Sequence, residues 1–197
     1  MKKKSEAGMM RIIAGKHRGR TLEPLPDARI RPTSGRTREA LFNILSHGMF
    51  MDTHSPLVGK HVADIFCGTG ALGLEALSRG AALVTMVDRH PDSLAVARRN
   101  VEKLKESEHV RLLRADARQM PRAGEPCSLA FVDPPYESGL AAPALASMIA
   151  SGWLLPGAIA VVEMAERETL PDVPGFQVMD ERRYGAAKVV LLKLVAN

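Results

Sequence analysis

From His61 onward, short apolar runs alternate with amphipathic stretches. HVADIF (61–66), LVTMVD (83–88), VRLLRAD (110–116), CSLAFV (127–132) and GAIAVVEM (157–164) are short and rich in aliphatic residues, as buried strands are. Between them, ALGLEALSRG (71–80), PDSLAVARRNVEKLKE (91–106) and GLAAPALASMIASGWL (139–154) read as helices. Gly80 closes the first of these, and Pro91 opens the second. The chain finishes on FQVMDERRYG (176–185) and AAKVVLLKLV (186–195), two adjacent strands about a turn at Gly185. This alternation predicts a Rossmann-like α/β fold, with a mostly parallel sheet, helices on both faces and an antiparallel last strand. Ligands of such sheets bind beyond the carboxyl ends of the strands, and four successive strand ends here carry glycine or an acid.

The first fifty residues follow a different pattern. Residues 1–9 read as a disordered extension. RIIAGKHRGRTLEPLP (11–26) alternates apolar and basic positions about Gly19, which predicts a short hairpin. In RPTSGRTREALFNILSHGMF (31–50), Thr33 or Ser34 is placed to cap a helix in which Ala40, Leu41, Ile44 and Leu45 recur at helical spacing. The expected division is therefore 1–9, a basic segment at 10–50, and the strand–helix domain at 51–197.

Charge sharpens this division. Residues 1–50 hold 11 Lys and Arg against 4 Asp and Glu, a net +7, whereas the remaining residues carry a net −2. Such a segment is either the footprint of a polyanion or a solvated tail. Arg36 and Arg38 stand near the start of their helix, the unfavourable end for a cation, which suggests that they serve something other than helix stability. With 46% apolar and 25% charged residues, the 197-residue chain is an ordinary folded domain. No run reaches the roughly 20 apolar residues of a membrane span, and no apolar segment follows Lys2–Lys4, so export is not expected. Cys67 and Cys127 are 60 residues apart with no metal-ligand spacing, and read as two buried thiols in a reducing cytoplasm.

The chemistry begins at Asp64-Ile-Phe-Cys-Gly68-Thr-Gly70-Ala-Leu-Gly73. Gly68, Gly70 and Gly73 spell G-x-G-x-x-G between a strand and a helix, where the backbone turns sharply and approaches a ligand. Asp88, 20 residues beyond Gly68 at the next strand end, is placed to accept ribose hydroxyls. By spacing alone, NAD and S-adenosylmethionine fit equally. Asp64 tilts the balance, because an acid there suits a cationic amino-acid cofactor better than a pyrophosphate. Asp133-Pro134-Pro135-Tyr136 closes the fourth strand.

DPPY downstream of D-x-F-x-G-x-G resembles the signature of S-adenosylmethionine-dependent amino-methyltransferases. RIIAGKHRGR, RPTSGRTREALFNIL, DIFCGTGALGLEALSRGA, FVDPPY and RRYG, in this order over residues 10–195, resemble the bacterial 16S ribosomal RNA guanine-N2 methyltransferase family. The resemblance implies a class I methyltransferase with a seven-stranded sheet and a small RNA-facing N-terminal extension. Its expected substrate is 16S rRNA or the small ribosomal subunit, methylated at one guanine by a cytoplasmic monomer without metal. The implied catalytic set is Asp133, the Pro134 carbonyl and Tyr136, the last stacking on the base. Cofactor contacts are expected from Asp64, Phe66, Gly68, Gly70, Asp88, Arg89, Asp116, Ala117 and Asp133, with Asp116 beside the adenine amine. Arg11, Lys16, Arg18, Arg20, Arg31, Arg36 and Arg38 are the candidate RNA contacts.

Glu75 and Arg79, at i and i+4, read as a surface pair, and Trp153 reads as core. His17 is a further candidate for RNA. The competing functions are an amino-methyltransferase acting on DNA adenine N6 or protein glutamine, an oxidoreductase lacking any Tyr-x-x-x-Lys dyad, and a non-catalytic RNA-binding assembly factor.

Overall fold

The computed structural model describes residues 10–26, 35–47 and 55–195, with the side chains of Arg36 and His47 outside it. Seven strands form one sheet: β1 His61–Ile65, β2 Leu83–Asp88, β3 Val110–Arg114, β4 Cys127–Val132, β5 Leu154–Ala165, β6 Phe176–Tyr184 and β7 Ala187–Leu194. Their order is β3-β2-β1-β4-β5-β7-β6. The first five run parallel to one another, while β7 runs antiparallel to both β5 and β6. This is the mostly parallel sheet with an antiparallel last strand that the alternation predicts. The helices are α1 Gly35–His47, α2 Ala71–Ser78, α3 Pro91–Leu104 and α4 Ala141–Ala150. The disordered extension expected at 1–9, and the capping residues Thr33 and Ser34, lie outside the described residues.

Alternation along the strands builds two cores. Val62, Met86, Leu129, Phe131, Val161 and Leu191 face one side, beneath α1, α2 and α3. Ala63, Ile65, Val87, Val132, Val162 and Val190 face the other, beneath α4. The N-terminal segment is part of the first core. Ile12 and Leu22 of the hairpin, and Leu41, Phe42 and Leu45 of α1, are buried in it. Phe42 is fully buried and meets Phe131 of β4 at 5.4 Å between ring centroids.

The hairpin pairs at Arg11 and Thr21 and lies along α2. Near its base, Thr69 Oγ donates to Met10 Sδ at the start of α2. At its tip, Lys16 N donates to Ser78 O at the other end of α2. Gly15 packs so tightly there that a Cβ would fall 1.7 Å from Ser78 O, so no larger residue fits.

One carboxylate joins these pieces. Glu75, fully buried on α2, accepts from Ile13 N (2.8 Å), Ala14 N (3.0 Å) and Arg79 Nε (2.7 Å). Arg38 of α1 lies 3.9 Å away and donates through Nη2 to Arg11 O at 2.6 Å. Its Nε and Nη1 have no hydrogen-bond partner among the described residues. The Arg79 guanidinium stacks over Phe42 at 4.8 Å. The expected surface pair is therefore an interior cluster, because the hairpin and α1 cover it. Truncating Glu75 would leave Arg38 buried without its counter-charge. Glu75→Ala is expected to lower unfolding free energy by about 3–5 kcal/mol, read from urea unfolding by circular dichroism.

Candidate functional site

The site forms where β1, β2, β3 and β4 end. After β1 the chain enters a left-handed conformation at Phe66 (φ 64), Gly68 (φ 53) and Gly70 (φ 78). A β-carbon on Gly68 would make only ordinary contacts, with Leu25 at 3.8 Å and Phe66 O at 4.0 Å, so it is the left-handed φ that calls for glycine there. Gly73 has the opposite constraint: a β-carbon would come within 2.8 Å of Met86 and Val84, so glycine lets α2 lie close on the sheet.

Two carboxylates support this loop. Asp88, 8% exposed at the end of β2, accepts from Gly68 N at 3.1 Å and His90 N at 2.9 Å. Asp64 is 1% exposed and accepts from Gly73 N at 2.8 Å. Burial pushes the Asp64 carboxyl up to about 7, with Asp88 adding to the rise and the Gly73 bond opposing it. Asp64 thus fills one of the free N–H positions at the start of α2, where a ligand phosphate would otherwise dock.

Beyond β3, Asp116 caps a single 3-10 turn through Arg118 N (2.9 Å). The Arg118 guanidinium grips its carboxylate at 2.7 Å and holds its pKa down to about 2. Ala117 is buried beside it. Phe66 is half-buried against the second core, and Arg89 is exposed. Asp133 follows β4 and donates its backbone N–H to Ile65 O at 3.3 Å, extending the ladder by one residue. Pro134 is buried, and Tyr136 is 39% exposed with Glu137 at φ 56 beside it. Asp64, Phe66, Gly68, Gly70, Asp88, Asp116, Ala117, Asp133, Pro134 and Tyr136 therefore all lie at or just past strand ends on one edge of the sheet.

The basic residues divide. Arg11, Arg18 and Arg20 are exposed, and Arg20 Nη2 donates to Lys103 O at 3.0 Å. Lys16 is half-exposed, 2.7 Å from Glu106, which also binds His17 Nε2 at 2.5 Å. These two contacts lower the Glu106 pKa against the opposing effect of burial. Arg38 needs correcting: at 2% exposure beside Glu75, it is enclosed and presents no surface to RNA. Arg31 and the Arg36 side chain lie outside the described residues. Both cysteines are free and buried, Trp153 is core, and no three His, Cys, Asp or Glu side chains form a metal-binding group among the described residues. No described helix is long and apolar enough to cross a membrane.

One acid was overlooked in the sequence. Glu163 on β5 is 5% exposed and accepts from the Tyr136 hydroxyl at 3.1 Å. Its signal is a single charge inside the apolar run GAIAVVEM.

Residues 10–193 match the family described as Conserved hypothetical protein 95. The chain is 38% identical to the ribosomal RNA small subunit methyltransferase D of Escherichia coli K12, over 86% of its own length and 82% of that protein. It is 31% identical to the protein of the same name in Haemophilus influenzae, over 96% and 95%. Its fold superposes on a putative methyltransferase from Escherichia coli with a TM-score of 0.79 at 33% identity, covering 96% of this chain and all of that one.

A pH dependence follows from Asp64. The native carboxyl keeps its proton to about pH 7, whereas the unfolded one loses it near pH 4. This group's stabilising contribution is full at low pH and is lost as pH rises through about 7. Asp64→Asn cannot ionise and keeps an acceptor for Gly73 N. Its melting temperature relative to wild type should climb from about pH 4 to about pH 7, then level off, in thermal melts without cofactor. A difference independent of pH would show that Asp64 is ionised throughout.

Proposed function

The chain belongs to the ribosomal RNA small subunit methyltransferase D family, and from that premise we propose that it methylates the exocyclic N2 amine of a guanine in 16S ribosomal RNA, with S-adenosylmethionine as donor. The observation that carries the choice of donor is the Asp64–Gly73 bond. With the Gly73 N–H at the start of α2 already taken by Asp64, the loop offers one donor fewer to a pyrophosphate and suits a donor without phosphates. The carboxylates of Asp88 and Asp116, at successive strand ends, suit a nucleoside with hydroxyls and an amine to donate. When bound, S-adenosylmethionine supplies an electrophilic methyl group on a sulfonium.

In this reading Asp88 holds the ribose, Asp116 and Ala117 meet the adenine, and Asp64 orients the loop from beneath. Phe66 and Arg89 border the same space. A guanine amine is a poor nucleophile because its lone pair is delocalised into the ring. Asp133 and the Pro134 carbonyl accept its N–H bonds, draw the nitrogen toward a tetrahedral form and free the lone pair for in-line attack. The prolines fix φ, so these acceptors are set before the base arrives. The new C–N bond forms as the methyl–sulfur bond breaks, and the surplus amine proton passes to Asp133 or water. Tyr136 offers an aromatic face to a base turned out of its stack. Arg11, Lys16, Arg18 and Arg20 position the RNA through phosphates. In this reading the protein acts in the cytoplasm, and as a monomer.

The direct test is incubation with tritiated S-adenosylmethionine and small subunits from an unmodified strain. Label at guanine N2 of 16S rRNA is expected, and label elsewhere would point to another amine substrate. Two variant series refine the assignment. Asp133→Asn keeps an acceptor oxygen and should retain measurable single-turnover methylation, while Asp133→Ala should lose at least about a hundredfold, with donor affinity unchanged in both. If Asn were as inactive as Ala, proton removal by Asp133 would be part of the rate-limiting step. Arg18→Glu combined with Arg20→Glu should lower the log–log salt slope of single-stranded RNA binding by about 1.4, at roughly 0.7 per lost phosphate contact. An unchanged slope would assign these residues to plain solvation.

A further inference from the structure

Glu163 is a carboxylate where the core needs none. Ala158, Ile159, Ala160, Val161, Val162 and Met164 surround it on β5, all apolar and buried. An ion in such a place is costly unless it is held by donors. The Tyr136 hydroxyl is one such donor, at 3.1 Å. Register gives the bond its meaning. Val132 pairs with Val162, so the next residues along, Asp133 and Glu163, stand side by side on neighbouring parallel strands. By alternation Glu163 shares the face of Ile159 and Val161, and Asp133 that of Leu129 and Phe131, which belong to the same core.

Tyr136 is the other half of the arrangement. It is a large aromatic left 39% exposed, three residues beyond Asp133, with its polar end tied to a buried acid. The backbone on either side is constrained, by Pro134 and Pro135 before it and by the left-handed Glu137 (φ 56) after it. The bond to Glu163 ties the side chain as well, by its hydroxyl.

We infer that Glu163 is a positioning residue, which holds Tyr136 by its hydroxyl so that the ring stands beside Asp133 as a fixed platform for the target base. This rests on the reading of Tyr136 as the surface on which the base stacks. In this role Glu163 transfers no proton and touches no substrate; it acts through the Tyr136 hydroxyl.

Two measurements on the full-length chain test it. The sequence has two tyrosines, so protein labelled with 13C at tyrosine Cζ gives two resonances, Tyr136 and Tyr184. Glu163→Ala should shift the Tyr136 resonance and leave that of Tyr184, whereas Glu163→Gln, which keeps an acceptor oxygen, should restore most of the shift. An unmoved Tyr136 resonance in Glu163→Ala overturns the inference whatever the substrate proves to be. The second measurement is single-turnover methylation of unmodified small subunits. Glu163→Ala and Tyr136→Phe should each raise half-saturating RNA or lower the rate by at least about tenfold, with donor affinity unchanged. Glu163→Gln should recover most of the loss, and the double variant should be no worse than Tyr136→Phe alone. If Glu163→Ala costs as much in the Tyr136→Phe background as in wild type, Glu163 does not act through Tyr136. Should Glu163→Ala fail to fold, Tyr136→Phe and Glu163→Gln cut and preserve the same bond and decide the matter. Full activity of Tyr136→Ala would instead remove the platform, and absence of label with wild type would refute the functional reading while the resonance test still decides the Glu163 bond.

Discussion

The buried carboxylate of Glu75 is the interaction on which the remaining architecture depends. Two hairpin amides, the Arg79 guanidinium and the nearby Arg38 converge on it, from three separate stretches of chain. None of these groups could be buried alone at tolerable cost. Together they fix where the hairpin and α1 sit on α2. That in turn decides which part of the sheet α1 covers, and Phe42 against Phe131 is the result. The hairpin and α1 are therefore built into the core, and without α1 that core would lose Leu41, Phe42 and Leu45.

The same economy operates at the ligand edge. Asp64 and Asp88 sit under one glycine loop, each binding a backbone N–H that a phosphate would otherwise claim. A fold widely used for dinucleotides is thereby tuned to a different charge. The tuning has an electrostatic consequence within the protein, because burial, with Asp88 adding to it, raises the Asp64 carboxyl to about 7.

Much of this was legible in the sequence. Seven strands, four helices and the antiparallel last pair follow from hydrophobic period and from Gly and Pro placement, since these record local geometry. The glycine loop and DPPY were legible because backbone turns and fixed φ require particular residues. Arg38, Glu75, Arg79 and Glu163 were not. Their burial is imposed by segments distant in the chain: the hairpin over Glu75, α1 over Arg79, and the loop after β4 against Glu163. A charge at helical spacing looks the same in sequence whether solvent or another helix faces it. The lone acid of GAIAVVEM was the one hint, and its partner lies 27 residues away.

The hairpin runs lengthwise on α2, its base beside Thr69 and its tip on Ser78. At 1.5 Å per residue, the eight residues of α2 set tip and glycine loop about 12 Å apart. Because Gly15 is wedged against Ser78 O, that separation is rigid. In the proposed function, a polyanion held at Arg18 would have to span that length to reach the glycine loop, and the hairpin would act as a measuring rod that sets how far the reacting base lies from the point of grip.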